Sequence, residues 1–340
     1  MATIGIIGGS GFTGAELLRL CASHPQLQVA WATGDRHAGT AIADVYPSLA
    51  TTVGDATYEK FDVAMVAGCD LVFIGLPHGA SQMIVPELLD ASVPHLVDLG
   101  ADFRLQDISL YPEWYGEPHR CPNLLPRFAY GLPELFRDRI VAADHVAVPG
   151  CYPTTASLVV APLVRAGMID PTGVVVDAYS GVSGAGSTPQ IHTTFNAVDE
   201  DLSAYGLLGH RHTPEIEVNC GATVLFTPHL APINRGILVT ATARGARTGL
   251  TTDDVLDALH DAYDAEAFVH VTADPPHTKS TLGSNTCHLT ARVDPRTGIV
   301  LMLSALDNLT KGASGGAVQC ANLLLGLPET TGLPIAGLYP

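Results

Sequence analysis

The fold class of this chain is decided by the stretch Thr3-Ile4-Gly5-Ile6-Ile7-Gly8-Gly9-Ser10-Gly11-Phe12-Thr13-Gly14. Residues 3–7 form an apolar run typical of a buried strand, residues 9–14 fit the pattern G-x-G-x-x-G, and leucines at helical spacing then predict a helix over 14–23. Glycines let a pyrophosphate reach the N–H groups at the start of such a helix, because a side chain would hold it away. The stretch therefore predicts a dinucleotide-binding turn, with an ordinary tight strand–helix turn as the alternative.

Composition and charge narrow the classes of protein that fit. The 340 residues are 47% hydrophobic, which excludes a mostly disordered chain and allows two domains. With 17 Lys and Arg against 34 Asp and Glu, the formal net charge is −17, which argues against a nucleic-acid or anionic-membrane partner because phosphates repel carboxylates. There is no run of about 18 apolar residues that would predict a membrane span, and no secretory signal is recognisable at the N-terminus.

The seven cysteines are widely spaced and contain no C-x-x-C pair. This spacing favours neither a disulfide framework nor a zinc site, and we expect no metal. The default expectation is a protein of a reducing compartment, the cytoplasm.

The first half of the chain alternates short apolar runs with helix-like stretches. This alternation predicts a parallel sheet covered on both faces, whereas longer β-type stretches from about residue 174 predict an α+β region. The expected fold class is α/β: a Rossmann-type parallel-sheet nucleotide-binding domain over 1–150, then an α+β catalytic and oligomerisation domain over 151–310. A closing helix within 311–340 is expected to return to the first domain, and residues 111–126, rich in proline and aromatics, are expected to be irregular surface.

The end of the second predicted strand, 27–32, bears on the choice of cofactor. An acidic residue there would bind the ribose hydroxyls of NAD. Here small Thr33 and Gly34 come first and Arg36 is placed to face a 2′-phosphate, so the sequence favours NADP(H), while Asp35 leaves NAD open. In the alternative interpretation both charges lie in a solvated loop.

Cys151 lies in the most informative segment, Val148-Pro149-Gly150-Cys151-Tyr152-Pro153-Thr154-Thr155. Pro149 and Gly150 favour a turn, and Pro153 suits the first turn of a helix that continues to about residue 165. Because the N–H groups at a helix N-terminus stabilise a thiolate, we predict that Cys151 is a nucleophile. The other six cysteines are interpreted as small buried hydrophobic residues, which is also the alternative for Cys151.

A cysteine nucleophile needs a base or a cation, and His210-Arg211-His212 offers both. In an extended segment the two imidazoles would face one side and the guanidinium the other. We expect His210 to be the acid/base partner, with His212 beside it, and replacement of His210 to flatten the pH profile near neutrality. A metal site would need further ligands, and none is near in the sequence.

Ten segments, in order along nearly the whole chain, resemble the N-acetyl-γ-glutamyl-phosphate reductases, the NADPH-dependent enzymes of arginine biosynthesis, in their longer-chain form. The segments are residues 9–14, 75–79, 98–104, 130–134, 149–154, 180–186, 209–215, 228–236, 283–285 and 307–312. The sequence departs from the family pattern at Gly100, usually Ser, at Val148, commonly Asn, and at Ser187, usually basic. Because of Ser187, no phosphate contact is assigned to its loop.

The resemblance implies reduction of N-acetyl-γ-glutamyl phosphate to N-acetylglutamate 5-semialdehyde and phosphate through a cysteine thioester, with Cys151, His210 and His212 as catalytic residues. It also implies a homo-oligomer, a dimer or a tetramer. The residues implied for NADP(H) binding are Gly8, Ser10, Gly11, Phe12, Thr13, Gly14, Arg36, Pro77, Ser183, Gly184 and Asn308. Those implied for binding the small-molecule acyl phosphate are Arg104, Arg211 and Arg235.

Three other functions are weighed against this one. Aspartate-semialdehyde dehydrogenases share the acyl-phosphate chemistry and a Cys/His pair. Lysine-pathway homologues act on a carrier-bound acyl phosphate, but usually have Asn-Ala where this chain has Tyr152-Pro153. A nicotinamide-sensing Rossmann regulator would need the glycine pattern, but neither the nucleophile nor the histidine pair.

Overall fold

The described chain, residues 1–339 of a computed structural model, divides into two units. Residues 1–149 and 313–333 form unit 1, and residues 150–312 together with those after 333 form unit 2. Residues 313–333 thus lie with unit 1, while the predicted domain bounds, 1–150 with 311–340 and 151–310, stay a prediction. Beyond residue 333 the chain lies with unit 2, where the N–H of Leu338 donates to the carbonyl of Leu282 at 2.8 Å.

Unit 1 is built on a six-stranded parallel sheet in the order β2-β1-β3-β4-β6-β5. The strands are β1 Ala2–Ile7, β2 Leu27–Ala32, β3 Leu71–Ile74, β4 His95–Asp98, β5 Phe128–Tyr130 and β6 His145–Ala147. The α-helices are α1 Phe12–Ser23, α2 Ile42–Val45, α3 Ala50–Val53, α4 Ser81–Asp90, α5 Leu110–Tyr115, α6 Pro133–Val141 and α12 Gly315–Leu324. Every residue of β3 is buried, as expected for a strand covered on both faces, so the predicted parallel sheet is confirmed.

The segment 111–126 is not the irregular surface that its prolines and aromatics predict. It contains most of α5 and part of a 3₁₀ helix, Pro122–Arg127. Tyr111 is 1% exposed, and its hydroxyl donates to the carbonyls of Asp102 and Leu105. Tyr111 therefore belongs to the core and partly buried Tyr115 packs against it, which proline content alone does not indicate.

Unit 2 carries a seven-stranded mixed sheet in the order β11-β12-β13-β10-β7-β9-β8. Its strands are β7 Val174–Gly181, β8 Ser203–Ala204, β9 Val224–Ala231, β10 Ile237–Arg244, β11 Val269–Val271, β12 Cys287–Val293 and β13 Ile299–Leu306. Its α-helices are α7 Cys151–Arg165, α8 Phe195–Val198, α9 Thr213–Cys220, α10 Thr252–Tyr263 and α11 Thr278–Thr281, and a π-helix spans Thr310–Ser314.

Helix α7 is the central element of unit 2. It packs against β10 and β13 and between α9 and α10, and its residues from Tyr152 to Leu163 are all buried. A helix that is apolar on every side has to be enclosed in this way. Two hydrogen bonds fix it: Ser304 Oγ donates to the carbonyl of Thr155, and the hydroxyl of Tyr263 to the carbonyl of Leu158. The bond from Ser304 holds α7 near its N-terminus, whereas the bond from Tyr263 holds the middle of the helix.

Candidate active site

Cys151 is the first residue of α7. Gly150, the N-cap residue, is extended and has no side chain to cap the helix, and Pro153 occupies the first turn. The N–H of Gly150 donates to Oε1 of Glu215 at 2.8 Å, and Glu215 is fully buried. The turn is therefore anchored by a carboxylate, and the half-buried thiol sits at the positive end of a rigid helix.

The two histidines meet across a turn and not along a strand. Residues 210–212 lead into α9, with His212 as its N-cap residue, so the segment is a turn and the geometry of an extended segment does not apply. The ring centroids of His210 and His212 are nevertheless 4.8 Å apart. The turn brings them together because the N–H of His212 donates to Nδ1 of His210 at 3.2 Å.

The ring of His212 occupies the space beside Gly150. A Cβ atom on Gly150 would lie 2.7 Å from Cε1 of His212 and closer still to Nε2. Real Cβ atoms do not approach other atoms so closely, so a larger residue at position 150 would displace the imidazole. Glycine is required here to seat a histidine next to Cys151.

His210 is held in its uncharged form at neutral pH. Burial and, after it, the charge of Arg211 lower the pKa of His210 to about 4. This lowered pKa argues against a flattened pH profile near neutrality on replacement of His210, which stays a prediction. Since Nδ1 accepts a hydrogen bond from a backbone N–H, the proton of the neutral ring resides on Nε2. His210 can thus act as a neutral hydrogen-bond donor.

A cavity of about 390 Å³ opens beside the thiol. Its walls all come from unit 2. They are Cys151, Tyr152, Ser180, Gly181, Gly184, Ala185, His192, Ala197, Asp201, Ser203, Tyr205, His210, Arg211, His212 and Leu230. The structure therefore brings all three predicted catalytic side chains to one cavity. The volume of this cavity suits a small molecule.

The three arginines predicted to bind substrate have different surroundings. Arg211 is exposed, lines the cavity, and enters none of the ion pairs found among residues 1–339. Arg235 donates to buried Asp307 at 3.0 Å and to Thr310 at 2.9 Å. Arg104, in unit 1, donates to the carbonyl of Leu99. Only Arg211 reaches the cavity; substrate contacts by the other two stay predictions.

The glycine-rich turn of unit 1 has the geometry that its sequence predicts. Gly8 adopts φ 80°, which favours glycine, and Gly11 is the N-cap residue of α1, with no side-chain cap. A Cβ on Gly14 would collide with the backbone of Gly9, so α1 packs closely on the turn. At Gly11 the nearest atom to such a Cβ is 3.8 Å away, which leaves the helix N-terminus open to a ligand.

Other predicted cofactor residues lie at the ends of strands. Arg36 is exposed in a 3₁₀ helix, Asp35–His37, that follows β2, and Pro77 follows β3. In unit 2, Ser183 and Gly184 belong to a 3₁₀ helix directly after β7. Asn308 donates from Nδ2 to Ser183 Oγ at 2.9 Å and accepts from the N–H of Gly236 at 2.7 Å. Asn308 therefore supports the loop of Ser183, and its contact with a cofactor stays a prediction.

Sequence reasoning missed three residues that shape the site. Glu215 anchors the turn before Cys151, and the rings of Tyr152 and Tyr205 pack on His210, with centroids 5.9 and 5.5 Å from the imidazole. Tyr152 and Glu215 lie in segments already singled out, beside the nucleophile and the histidine pair. Nothing in the sequence near Tyr205 indicates that its ring reaches the site.

Neither a membrane-spanning helix nor a metal-binding cluster is found among residues 1–339. No helix among residues 1–339 is both long and apolar enough to cross a membrane. Within the same residues, no three side chains of His, Cys, Asp or Glu are grouped so that they could hold a metal ion.

Two family models and several curated proteins match this chain. A model described as semialdehyde dehydrogenase, NAD binding domain, matches residues 3–143, and one described as semialdehyde dehydrogenase, dimerisation domain, matches residues 151–308. The N-acetyl-gamma-glutamyl-phosphate reductase of Symbiobacterium thermophilum is 46% identical and is matched over 99% of both chains. The enzyme of the same name from Desulforudis audaxviator is also 46% identical, over 100% of both chains.

Solved structures share the fold. Aspartate semialdehyde dehydrogenase II from Vibrio cholerae, complexed with ASA, superimposes with a TM-score of 0.70 at 16% identity, over 96% of this chain and 98% of that one. Aspartate semialdehyde dehydrogenase with NADP from Candida albicans gives a TM-score of 0.70, also at 16% identity and over the same shares. At such identity the likeness establishes the fold alone.

Proposed function

The chain belongs to the N-acetyl-γ-glutamyl-phosphate reductase family, and from that premise we propose that it reduces N-acetyl-γ-glutamyl phosphate with NADPH. The products are N-acetylglutamate 5-semialdehyde and inorganic phosphate, in a step of arginine biosynthesis. One observation carries the proposal: Cys151, at the start of α7, shares a cavity with His210, Arg211 and His212. Aspartate semialdehyde dehydrogenase is the second candidate, which the shared fold and the two semialdehyde dehydrogenase domain matches support.

In the proposed reaction the thiolate of Cys151 attacks the γ-acyl carbon and expels phosphate, which leaves a thioester. Bound NADPH supplies the hydride that reduces this thioester. His210, neutral and protonated on Nε2, donates a hydrogen bond to the reacting carbonyl oxygen, as do N–H groups at the start of α7. His212, seated beside Gly150, orients the substrate or shares the proton transfer. Collapse of the hemithioacetal releases the aldehyde and restores the thiolate.

We assign cofactor binding to the domain 1–150 with the C-terminal helix, and catalysis to 151–310. The open N-terminus of α1 fits a pyrophosphate, which Ser10, Gly11, Phe12, Thr13 and Gly14 would hold together with Gly8. Arg36 suits the 2′-phosphate of NADPH, with Pro77, Ser183, Gly184 and Asn308 as further contacts. The NAD-binding-domain match over residues 3–143 supports this division.

Recruitment of the substrate must be local. The acyl phosphate is anionic and the chain has a formal net charge of −17, so long-range attraction does not concentrate it at the cavity. Arg211 is a guanidinium on the cavity wall and is suited to a bidentate contact with phosphate or carboxylate. Arg104 and Arg235 complete the proposed substrate contacts.

Assembly and location are part of the same proposal. The dimerisation-domain match over residues 151–308 supports a homo-oligomer, a dimer or a tetramer. Exposed apolar side chains of unit 2, among them Ile191, Phe195 and Leu208, support it as well. All seven cysteines are thiols, which suits the reducing cytoplasm.

The test is reduction of NADP⁺ with an aldehyde and inorganic phosphate, the reverse reaction. We expect kcat/KM for N-acetylglutamate semialdehyde to exceed that for aspartate semialdehyde by more than about 100-fold, because a site built around polar substrate groups rejects analogues that lack them. Omission of phosphate is the control and abolishes turnover. A preference for aspartate semialdehyde would overturn the substrate assignment while leaving the thioester chemistry in place.

A further inference from the structure

Tyr152 connects the nucleophile to the histidine pair. It follows Cys151 in α7, is 2% exposed, and packs edge-to-face on the rings of His210, His212 and Phe226. Its hydroxyl donates to the carbonyl of His229 at 3.1 Å. A buried tyrosine whose hydroxyl is bonded in this way is fixed at both ends.

Tyr205 closes the other side of His210. The end of β8 positions it, since the N–H of Tyr205 donates to the carbonyl of Pro228. Its ring lies edge-to-face on His210 at 5.5 Å, and its hydroxyl donates to the hydroxyl of Tyr152 at 3.1 Å. The ring is 39% exposed and lines the cavity, so this hydrogen bond is what holds a partly open side chain in place.

Three aromatic rings and one hydrogen bond fix the orientation of the His210 imidazole. Tyr152, Tyr205 and Phe226, which we call the aromatic enclosure, surround the imidazole, and its Nδ1 accepts the N–H of His212. Nε2 of His210 has no partner within residues 1–339, and it is not among the buried polar atoms that lack one. The remaining nitrogen is therefore accessible from the cavity.

We propose that Tyr205 is a positioning residue of the reductase: through its hydroxyl bond to Tyr152 it completes the aromatic enclosure and fixes the donor nitrogen of His210 toward the substrate. This inference rests on the proposed function. Tyr205 acts through His210 and needs no contact with the reacting atoms. Without the hydroxyl of Tyr205, Nε2 of His210 would no longer point at the reacting carbonyl oxygen. This loss of orientation lowers kcat more than it raises KM.

The experiment compares Tyr205→Phe, Tyr152→Phe and the double variant with a matched control, Tyr263→Phe. The control removes a buried hydroxyl of the same unit that donates to the carbonyl of Leu158 at 2.6 Å and lies outside the cavity. We expect each of the first two variants to lose about tenfold in kcat with an unchanged KM for NADP⁺. The double variant should lose no more than the worse single variant, because the hydroxyls act as a pair. Tyr263→Phe should lower Tm and leave kcat within about twofold.

The pH dependence of kcat distinguishes a positioning role of Tyr205 from a purely structural one. The titratable or charged groups that share the cavity with His210 are Cys151, Tyr152, His192, Asp201, Tyr205, Arg211 and His212. Protonation of His210 falls on Nδ1 and breaks the hydrogen bond from the N–H of His212 that orients the ring, so activity falls at low pH. With the enclosure loosened, water reaches the imidazole and its pKa rises from about 4, so the acid limb of kcat moves to higher pH in Tyr205→Phe.

An acid limb that stays in place, additive losses in the double variant, or an equal loss in Tyr263→Phe would each overturn the role of Tyr205. All variants are assayed with both semialdehydes. If the wild type prefers aspartate semialdehyde, the substrate proposal fails, whereas the ratio of variant to wild type on the active aldehyde still decides the role of Tyr205.

Discussion

Two helices of this chain begin at a glycine with no side-chain cap, and the two glycines serve different ends. At α1 the N-cap residue is Gly11, which faces open space, while Gly14 makes room for the backbone of Gly9 in the same turn. At α7 the N-cap residue is Gly150, and the space beside it is filled by the ring of His212. The N-terminus of α1 is left open for a ligand, whereas the proposed catalytic side chains of Cys151 and His212 lie at the N-terminus of α7.

The difference explains why the first site is readable from sequence and the second only in part. Gly14 is explained by the backbone of Gly9 in the same turn and Gly11 by a pyrophosphate, whereas Cβ atoms on Gly8 and Gly9 would meet residues of the neighbouring strand ends, Gly75 and Ala32. The reason for Gly150 lies in a side chain far along the chain, at position 212. Substitutions at the start of α7 should therefore impair catalysis, whereas substitutions at the start of α1 should impair cofactor binding.

The largest effect is expected for Cys151→Ser. We expect turnover to fall by more than about 99%, because a serine hydroxyl at this position is a far weaker nucleophile than a thiolate. Binding of NADPH, measured by fluorescence titration, should be unchanged, since the proposed cofactor turn belongs to unit 1. Substantial activity in this variant would exclude a covalent thioester and with it the role assigned to the start of α7.

Gly150→Ala tests whether the second glycine exists to seat His212. The methyl group would lie 2.7 Å from Cε1 of His212, so the ring must move, and we expect kcat to fall about 30-fold. Gly209→Ala is the control, since a Cβ there meets nothing closer than 3.9 Å. An active Gly150→Ala enzyme would mean that the position of His212 is unimportant.

Gly11→Ala tests the first glycine. The backbone of Gly11, φ −80° and ψ 170°, suits alanine, and a Cβ there meets no protein atom within 3.4 Å, so the apo fold should be unaffected. A methyl group would stand where the pyrophosphate approaches, and we expect KM for NADPH to rise about tenfold with little change in kcat. Steady-state kinetics at varied NADPH give both constants. An unchanged KM would place the cofactor elsewhere.

Arg211→Gln tests how far the charge of Arg211 lowers the pKa of His210. The pKa of His210 is lowered to about 4 by burial first and by Arg211 second, so removing the guanidinium should raise it toward its ordinary value. The sign is fixed: a higher pKa means that His210 protonates earlier as pH falls, so the acid limb of kcat/KM moves to higher pH. Because Arg211 is exposed, added salt should shrink the difference from the wild type. A limb that moves to lower pH would contradict this account.

The features predicted correctly are those with local causes. Strand–helix alternation gave the parallel sheet, and Pro149, Gly150 and Pro153 gave a helix that begins at Cys151. Strands β5 and β6 escaped prediction because three residues carry too little periodicity to be distinguished from a loop. The turn at 210–212 and the position of Tyr205 depend on packing between distant segments, which spacing along one chain does not encode.

The smallest effect concerns a third glycine, Gly100, which resembles Gly150 but lies in unit 1. A Cβ on Gly100 would stand 2.6 Å from Ser81 Oγ and 2.9 Å from Oδ1 of Asp98, two atoms joined by a 2.8 Å hydrogen bond. Here the space beside glycine is filled by a structural pair and not by the groups around Cys151. We therefore expect Gly100→Ser to cost about 1–2 kcal/mol of unfolding free energy while kcat stays within about twofold.

A double variant decides whether the cause is the predicted collision. Ser81→Ala removes the hydroxyl that the new side chain meets, and the serine introduced at position 100 can donate to Asp98 in its place. The two substitutions together should therefore destabilise by less than the sum of their separate effects, with a coupling of about 1 kcal/mol in urea unfolding. Additive effects would show that the new side chain acts by moving the backbone at position 100, whose N–H donates to the same Asp98 oxygen at 2.8 Å, and not by meeting the hydroxyl of Ser81.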